Sequence, residues 1–178
     1  AGASHTLAVA KTGPGRLYYR VGIQYAPAKL DLPPLDAGFV VRRSYRAVDR
    51  PSDVTRTPDG NYEVRLGAVV VVTLGVLSTS HRYAVALVDP LPAGFETVNT
   101  RLKTSEAATT DTSDWDHVNL RDNRSEGFAM DFREGSRRFT YTVRATTPGT
   151  FAAAPAKAEE MYSPETFGRT SGATVTIE

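Results

Sequence analysis

The chain has 178 residues, 40% hydrophobic and 23% charged, with 21 Lys and Arg against 20 Asp and Glu for a net charge of +1. These values fit one globular domain and exclude the low-hydrophobicity, high-charge signature of a disordered chain. The near balance argues against a nucleic-acid surface, which needs a basic excess on one face, and the absence of cysteine rules out disulfides, zinc–thiolate sites, a cysteine nucleophile or a thioester within this chain.

The first four residues, Ala1–Ser4, lack the basic and apolar regions of a signal peptide and read as a cloning scar over 1–4. Residues 5–35 read as an added strand pair or the tail of a preceding domain. Within them Leu17, Tyr19, Val21, Ile23 and Tyr25 alternate with other residues, which predicts a strand over 17–25 with those five on one face. The proline-containing stretch Ala26–Pro34 separates it from the body, residues 36–178.

The body is a succession of strand signals. Phe39–Val48 is one, and Tyr62–Leu66 is another, following the turn Pro58-Asp59-Gly60-Asn61. Val69–Leu74 and Tyr83–Asp89 are apolar without alternation, which predicts strands buried on both faces. The second stops at Pro90-Leu91-Pro92, where prolines remove ladder donors. The polar stretch 103–115 predicts a long exposed loop. Strands resume at His117–Arg121, Gly127–Phe132, Phe139–Ala145 and Ala173–Ile177, with 133–136 a hairpin-length connection. Pro155 interrupts the best helical window, 152–162. Nine or ten short strands predict an all-β, antiparallel two-sheet β-sandwich with little or no helix. Trp115 and the Tyr and Phe residues are expected mainly in its core or at sheet edges. The pairs Arg42–Arg43 and Arg137–Arg138 are expected on solvated strand faces.

Catalytic patterns are wanting. His5, His81 and His117 show no metal-ligand spacing. No G-x-S-x-G occurs, and Gly135-Ser136 sits in a hairpin connection. Glu159 and Glu160 are adjacent, so on an extended chain they point apart and cannot work as an acid–base pair. Gly13-Pro14-Gly15 lacks the following helix of a phosphate loop. No enzyme activity, metal or cofactor is expected. The segment 155–169 is longer than an ordinary connection and carries Met161 and Tyr162 side by side. Such a pair either packs back onto its own sandwich or caps another surface with an adaptable apolar contact.

Several segments then resemble one family in order along the chain. Leu87-Val88-Asp89-Pro90-Leu91-Pro92-Ala93-Gly94-Phe95-Glu96 resembles the D-x-L-P-A-G-[FL]-E signature in the C-terminal macroglobulin-like domain (MG10) of bacterial α2-macroglobulins. Tyr141–Phe151 followed by Pro155–Tyr162 is similar to that family's next hallmark. Gly15–Arg20, Leu35–Phe39 and His117–Arg124 match as well. The resemblance implies a macroglobulin-like, immunoglobulin-like β-sandwich and a non-catalytic domain of a protease-trapping endopeptidase inhibitor used in bacterial defence. It implies a periplasmic or cell-envelope protein, tethered as a lipoprotein in some members, with no membrane insertion by this domain. It implies three partners: the thioester domain of the same polypeptide, target proteases met through the full-length protein, and a peptidoglycan synthase. Met161 and Tyr162, with Glu160 beside them, occupy the family's thioester-shielding position. The alternative is a free-standing immunoglobulin-like binding or adhesin module that holds a sugar or peptide at its loops.

Overall fold

A computed structural model describes residues 6–23, 32–98 and 111–178. In chain order its strands are β1 (Leu35–Ala37), β2 (Val40–Ala47), β3 (Val54–Arg56), β4 (Tyr62–Val64), β5 (Val69–Ser78), β6 (Arg82–Pro90) and β7 (Phe95–Thr97). They continue with β8 (His117–Leu120), β9 (Arg124–Phe132), β10 (Gly135–Ala145), β11 (Gly149–Ala153), β12 (Lys157–Glu160), β13 (Ser163–Arg169) and β14 (Ala173–Ile177). One 3-10 turn, Pro51–Asp53, precedes β3.

The strands form an all-β sandwich in three hydrogen-bonded sheets. The largest has the order β1-β13-β12-β6-β9-β8, the second β2-β5-β10-β7 and the third β11-β14-β4-β3. Pairing is antiparallel except between β14 and β4. The longest ladder joins β5 to β10, from Gly135 opposite Ser78 to Arg144 opposite Val69. The β-branched run Val69–Val72 is buried throughout, as its lack of alternation predicts, and so is Ala84–Leu87 in β6. Gly127 of β9 lies against the Phe139 ring of β10, so the first two sheets face each other. The third contributes Tyr62, Val64, Val175 and Ile177 to the same core.

Trp115 is buried, edge-on to Phe132 and Phe139, and its indole N–H donates to the Arg138 carbonyl at 2.9 Å. Of the expected loop 103–115, residues 103–110 lie outside the described residues. Asp111 already bridges to Thr140, and Trp115 enters the core. The aromatic ring, not the polar residues before it, decides where this segment returns to the fold.

Two expectations are overturned. Residues 17–23 form no strand; Tyr18, Tyr19, Val21 and Ile23 are exposed, and Tyr25 lies outside the described residues. Alternation makes a face but no ladder, and among the described residues no strand pairs with this one. The segment 155–169 is also no loop. It is the antiparallel hairpin β12–β13, which inserts beside β6 in the six-stranded sheet. Its sequence mixes charged residues with Ala158, Phe167 and Gly168, so no period-2 pattern marks it. Gly168 is where β13 passes the backbone at Phe39: an added Cβ would stand 1.8 Å from the Phe39 carbonyl oxygen.

Candidate functional site

Glu160 and Ser163 close the β12–β13 hairpin, so Met161 and Tyr162 are the two residues of its turn. The register shifts at Glu159/Glu160, an irregularity of the kind that re-aims side chains at strand ends. The turn is anchored on its β6 side. The Met161 N–H donates to the Ala84 carbonyl at 2.9 Å, and the Tyr83 N–H donates to Glu160 Oε1 at 3.1 Å. Arg82 lies 3.9 Å from the other Glu160 oxygen. Glu160 thus fastens the turn to the start of β6. The backbone of the turn is fixed while its side chains stay free: Met161 is 41% exposed and Tyr162 86%. Tyr162 thus projects from the sandwich, while Met161 is partly covered by it.

The anchor point is unusual. Ala84 has φ +49°, a left-handed conformation costing an alanine about 1–2 kcal/mol. It is skipped in the β6–β9 register, where Tyr83 pairs with Asp131 and Val85 with Ala129. Such strain persists only where surrounding contacts over-determine it, and it marks positions worth a functional question.

A second polar constellation, which the sequence did not reveal, lies inside the sandwich. Asp89, the first residue of the D-x-L-P-A-G-F-E signature, is buried at the end of β6. It accepts from Arg43 Nη1 at 2.6 Å and from the Tyr141 hydroxyl at 2.7 Å. Arg43 also donates to the carbonyls of Ala154 and Ala153. Three strands of two sheets therefore meet on one carboxylate, and Arg43 ties the end of β11 and the residue after it to the same cluster. Arg43 was expected on a solvated face; the buried Asp89 draws it inward. Burial pushes the Asp89 carboxyl up from its ordinary value, and Arg43 and Tyr141 pull it back. The Tyr141 and Tyr45 phenols are raised, in both cases first by burial. Arg137 also departs from expectation: it covers the Phe132 ring and donates to the Asp114 carbonyl.

The rest of the signature is packing. Phe95 is buried against Tyr45, and an added Cβ at Gly94 would lie 2.4 Å from the Phe151 ring and 2.6 Å from Ile177. Neither constellation offers a nucleophile beside a base. His81, before β6, bonds Asp131, and His117, in β8, bonds Asn119, while His5 lies outside the described residues. Among the described residues no group of three or more His, Cys, Asp or Glu could hold a metal ion. A cleft of about 460 Å³ between β2 and the third sheet is lined by Arg42, Arg43, Arg56, Tyr62 and Thr170, among others, with no carboxylate or histidine. No helix among the described residues is long and apolar enough to cross a membrane.

Comparisons with known proteins agree with this architecture. The family described as "Bacterial Alpha-2-macroglobulin MG10 domain" matches residues 38–165. "Circularly permutated Ras protein 2" of Dictyostelium discoideum is 34% identical over 168 residues, 94% of this chain and 4% of that protein. The "Alpha-2-macroglobulin homolog" of Nostoc is 29% identical over 181 residues, 98% of this chain and 9% of that protein. Trypsin-activated alpha-2-macroglobulin from Escherichia coli superimposes with a TM-score of 0.64 at 21% identity, covering 83% of this chain and 11% of that one. The chain thus spans no more than about a tenth of the length of these relatives. With the match running from the residue before Phe39 through the hairpin turn into β13, the chain belongs to the bacterial alpha-2-macroglobulin MG10 domain family.

Proposed function

We propose that this domain is a non-catalytic cover within a protease-trapping inhibitor of the α2-macroglobulin type, and that Met161 and Tyr162 shield a thioester held by another domain of the same polypeptide. The observation that carries the reading is the hairpin turn. Its main chain is anchored to Ala84 and Tyr83 while a thioether and a phenol are left exposed, the phenol almost fully. A side-chain pair fixed at its base and free at its tip is built to meet a second surface.

The chemistry suits these two residues. In a Cys–Gln thioester the cysteine sulfur is bonded to the acyl carbon of the glutamine side chain. Water attacking that carbon releases the thiol and leaves a carboxylate, so excluding water preserves the bond. A thioether has no proton to give or take, and a phenol is a weak base near neutral pH. Together they cover area without activating water. The cover must also lift once a protease has cut its bait, and a modest, partly polar interdomain contact opens more readily than a core-like one. Glu160 positions the pair and does not touch the acyl group.

On this reading residues 5–35 belong with a preceding domain. The apolar residues exposed along 17–23 support that assignment, because such a face needs a partner strand. Residues 36–178 are then the macroglobulin-like sandwich. The protein would act in the periplasm or cell envelope, where target proteases and a peptidoglycan synthase would be its external partners. The much greater length of the relatives supports a domain of a larger protein over a free-standing adhesin module.

The test is thiol release from the full-length parent before any protease is added. A Met161→Ala, Tyr162→Ala double variant should lose its thioester several-fold faster than the unaltered protein. Equal rates would sink the shielding role.

A further inference from the structure

The chain contains two methionines, Met130 on β9 and Met161 in the β12–β13 turn, 31 positions apart in sequence. Buried methionine is the norm, yet Met130 is 61% exposed and Met161 41%. Both flank one residue. The Met161 N–H bonds the Ala84 carbonyl from the β12 side. Met130 faces Ala84 from the β9 side, between the registered pairs Tyr83–Asp131 and Val85–Ala129. Ala129, next to Met130, is buried in the core, so alternation puts Met130 on the outer face of this sheet.

Tyr83, next to Ala84, is 62% exposed and is held in place. Its hydroxyl lies 3.2 Å from His81 Nδ1, the two rings are 4.4 Å apart, and the other His81 nitrogen bonds the Asp131 carboxylate. The Tyr83 N–H is bonded to Glu160, the same carboxylate that fastens the hairpin turn. A tyrosine fixed by its histidine neighbour loses little rotamer freedom when it is covered. Exposed tyrosines and methionines around a single strained alanine have the composition of an interface centre, where aromatic and Met residues are enriched. Asp131, paired with His81 and Arg133, supplies a polar rim with its charge already matched.

From this arrangement we infer that Met130, Tyr83 and His81 form one docking surface with Met161 and Tyr162, and that its occupant is an apolar surface of another domain of the same, longer polypeptide. The inference rests on the turn reading above and extends it to two further strands. Two observations identify the occupant. The relatives run to ten or more times the length of this chain, so most of the polypeptide lies outside it. The strands that carry Tyr83 and Met130 also adjoin the turn: Met161 N–H bonds the Ala84 carbonyl, Tyr83 N–H bonds Glu160, and Met130 falls between the β9 partners of Tyr83 and Val85.

The two methionines provide the readout. The full-length parent protein, native and unfolded in guanidinium, would be treated with dilute hydrogen peroxide, and sulfoxide at each methionine followed by peptide mass spectrometry. Both should oxidise at least about tenfold more slowly in the native protein, because a covered thioether is inaccessible to oxidant. Slow oxidation at Met161 alone overturns the extended surface and leaves the turn reading standing. Slow oxidation at Met130 alone, or at neither, overturns both. Protection that disappears on dilution assigns the occupant to a second copy and overturns the intramolecular partner. A Tyr83→Ser variant of the parent should raise oxidation at both methionines; unchanged rates at both would overturn a shared surface.

Discussion

The molecule holds two clusters of polar and aromatic side chains at opposite ends of β6, and they are built on opposite principles. At the far end Asp89 is buried and fully engaged, by Arg43 and by Tyr141. At the near end Tyr83, Met161 and Tyr162 are exposed; the main chains of Met161 and Tyr83 are anchored, and the Tyr83 hydroxyl meets its exposed neighbour His81. The first cluster ties two sheets and the β11–β12 link into one unit, so its residues answer to the fold. The second leaves side chains exposed, and the proposed docking face lies there. One strand, nine residues from Arg82 to Pro90, thus carries a structural lock at one end and the proposed docking face at the other, and perturbing one should leave the other largely intact.

The largest effect should come from breaking the lock on one side only. Asp89→Ala leaves the Arg43 guanidinium buried without its counter-charge, which should cost about 3–5 kcal/mol; urea unfolding would read it as a lower midpoint at unchanged slope. Tyr141→Phe removes one donor to the carboxylate and should cost about 2 kcal/mol, a hydrogen bond to a charged group. Pairing Asp89→Leu with Arg43→Met should recover part of the Asp89→Ala loss, since no buried charge is left alone. Recovery should be incomplete, because the carbonyls of Ala153 and Ala154 lose their donor. If Asp89→Ala proved neutral, the contrast between the two ends would fail.

The docking end should respond in the reverse sense. Met161→Ala with Tyr162→Ala should change domain stability by less than about 0.5 kcal/mol, as exposed substitutions do, while thiol release in the parent accelerates. A large loss of stability would mean that the turn serves the fold after all.

The smallest effect is a titration on a third, purely local cluster. Glu126 lies under its ordinary carboxylate value, first because Arg124 hydrogen-bonds to it, with Asn119 and Arg121 adding to that and burial opposing it. A carboxylate depressed in the folded state contributes stability above its unfolded pKa and loses it as pH falls through the folded value. Arg124→Gln should therefore move the Glu126 titration back up and shift acid destabilisation to higher pH, measured by NMR titration of the side-chain carboxyl. A titration unmoved by the substitution would show that the Arg124 contact contributes nothing.

Much of this was legible in the residues. Val69–Leu74 and Tyr83–Asp89 read as doubly buried strands because β-branched and apolar side chains without alternation suit no half-wet face; most of both is buried, but Tyr83 is exposed. The turn chemistry around Pro58–Asn61 and the hairpin at 133–136 followed from local backbone preference. The D-x-L-P-A-G-F-E run and the Met161–Tyr162 pair were recognisable as residues, and their chain-order match pointed to the family. What they do was less legible: Asp89 read as an ordinary strand end and is a buried ion-pair centre, and 155–169 looked like a loop and is a hairpin.

Local pattern therefore determined the all-β class, most strands and the identity of the pair at the turn, because period, propensity and turn residues act over a few neighbours. Only the tertiary structure decided that Arg43 turns inward to a carboxylate 46 positions away. It alone gathered both methionines around Ala84, and it left 17–23 without a ladder. Each of these depends on which distant segment supplies the partner, and a lone stretch of chain carries no record of its partner.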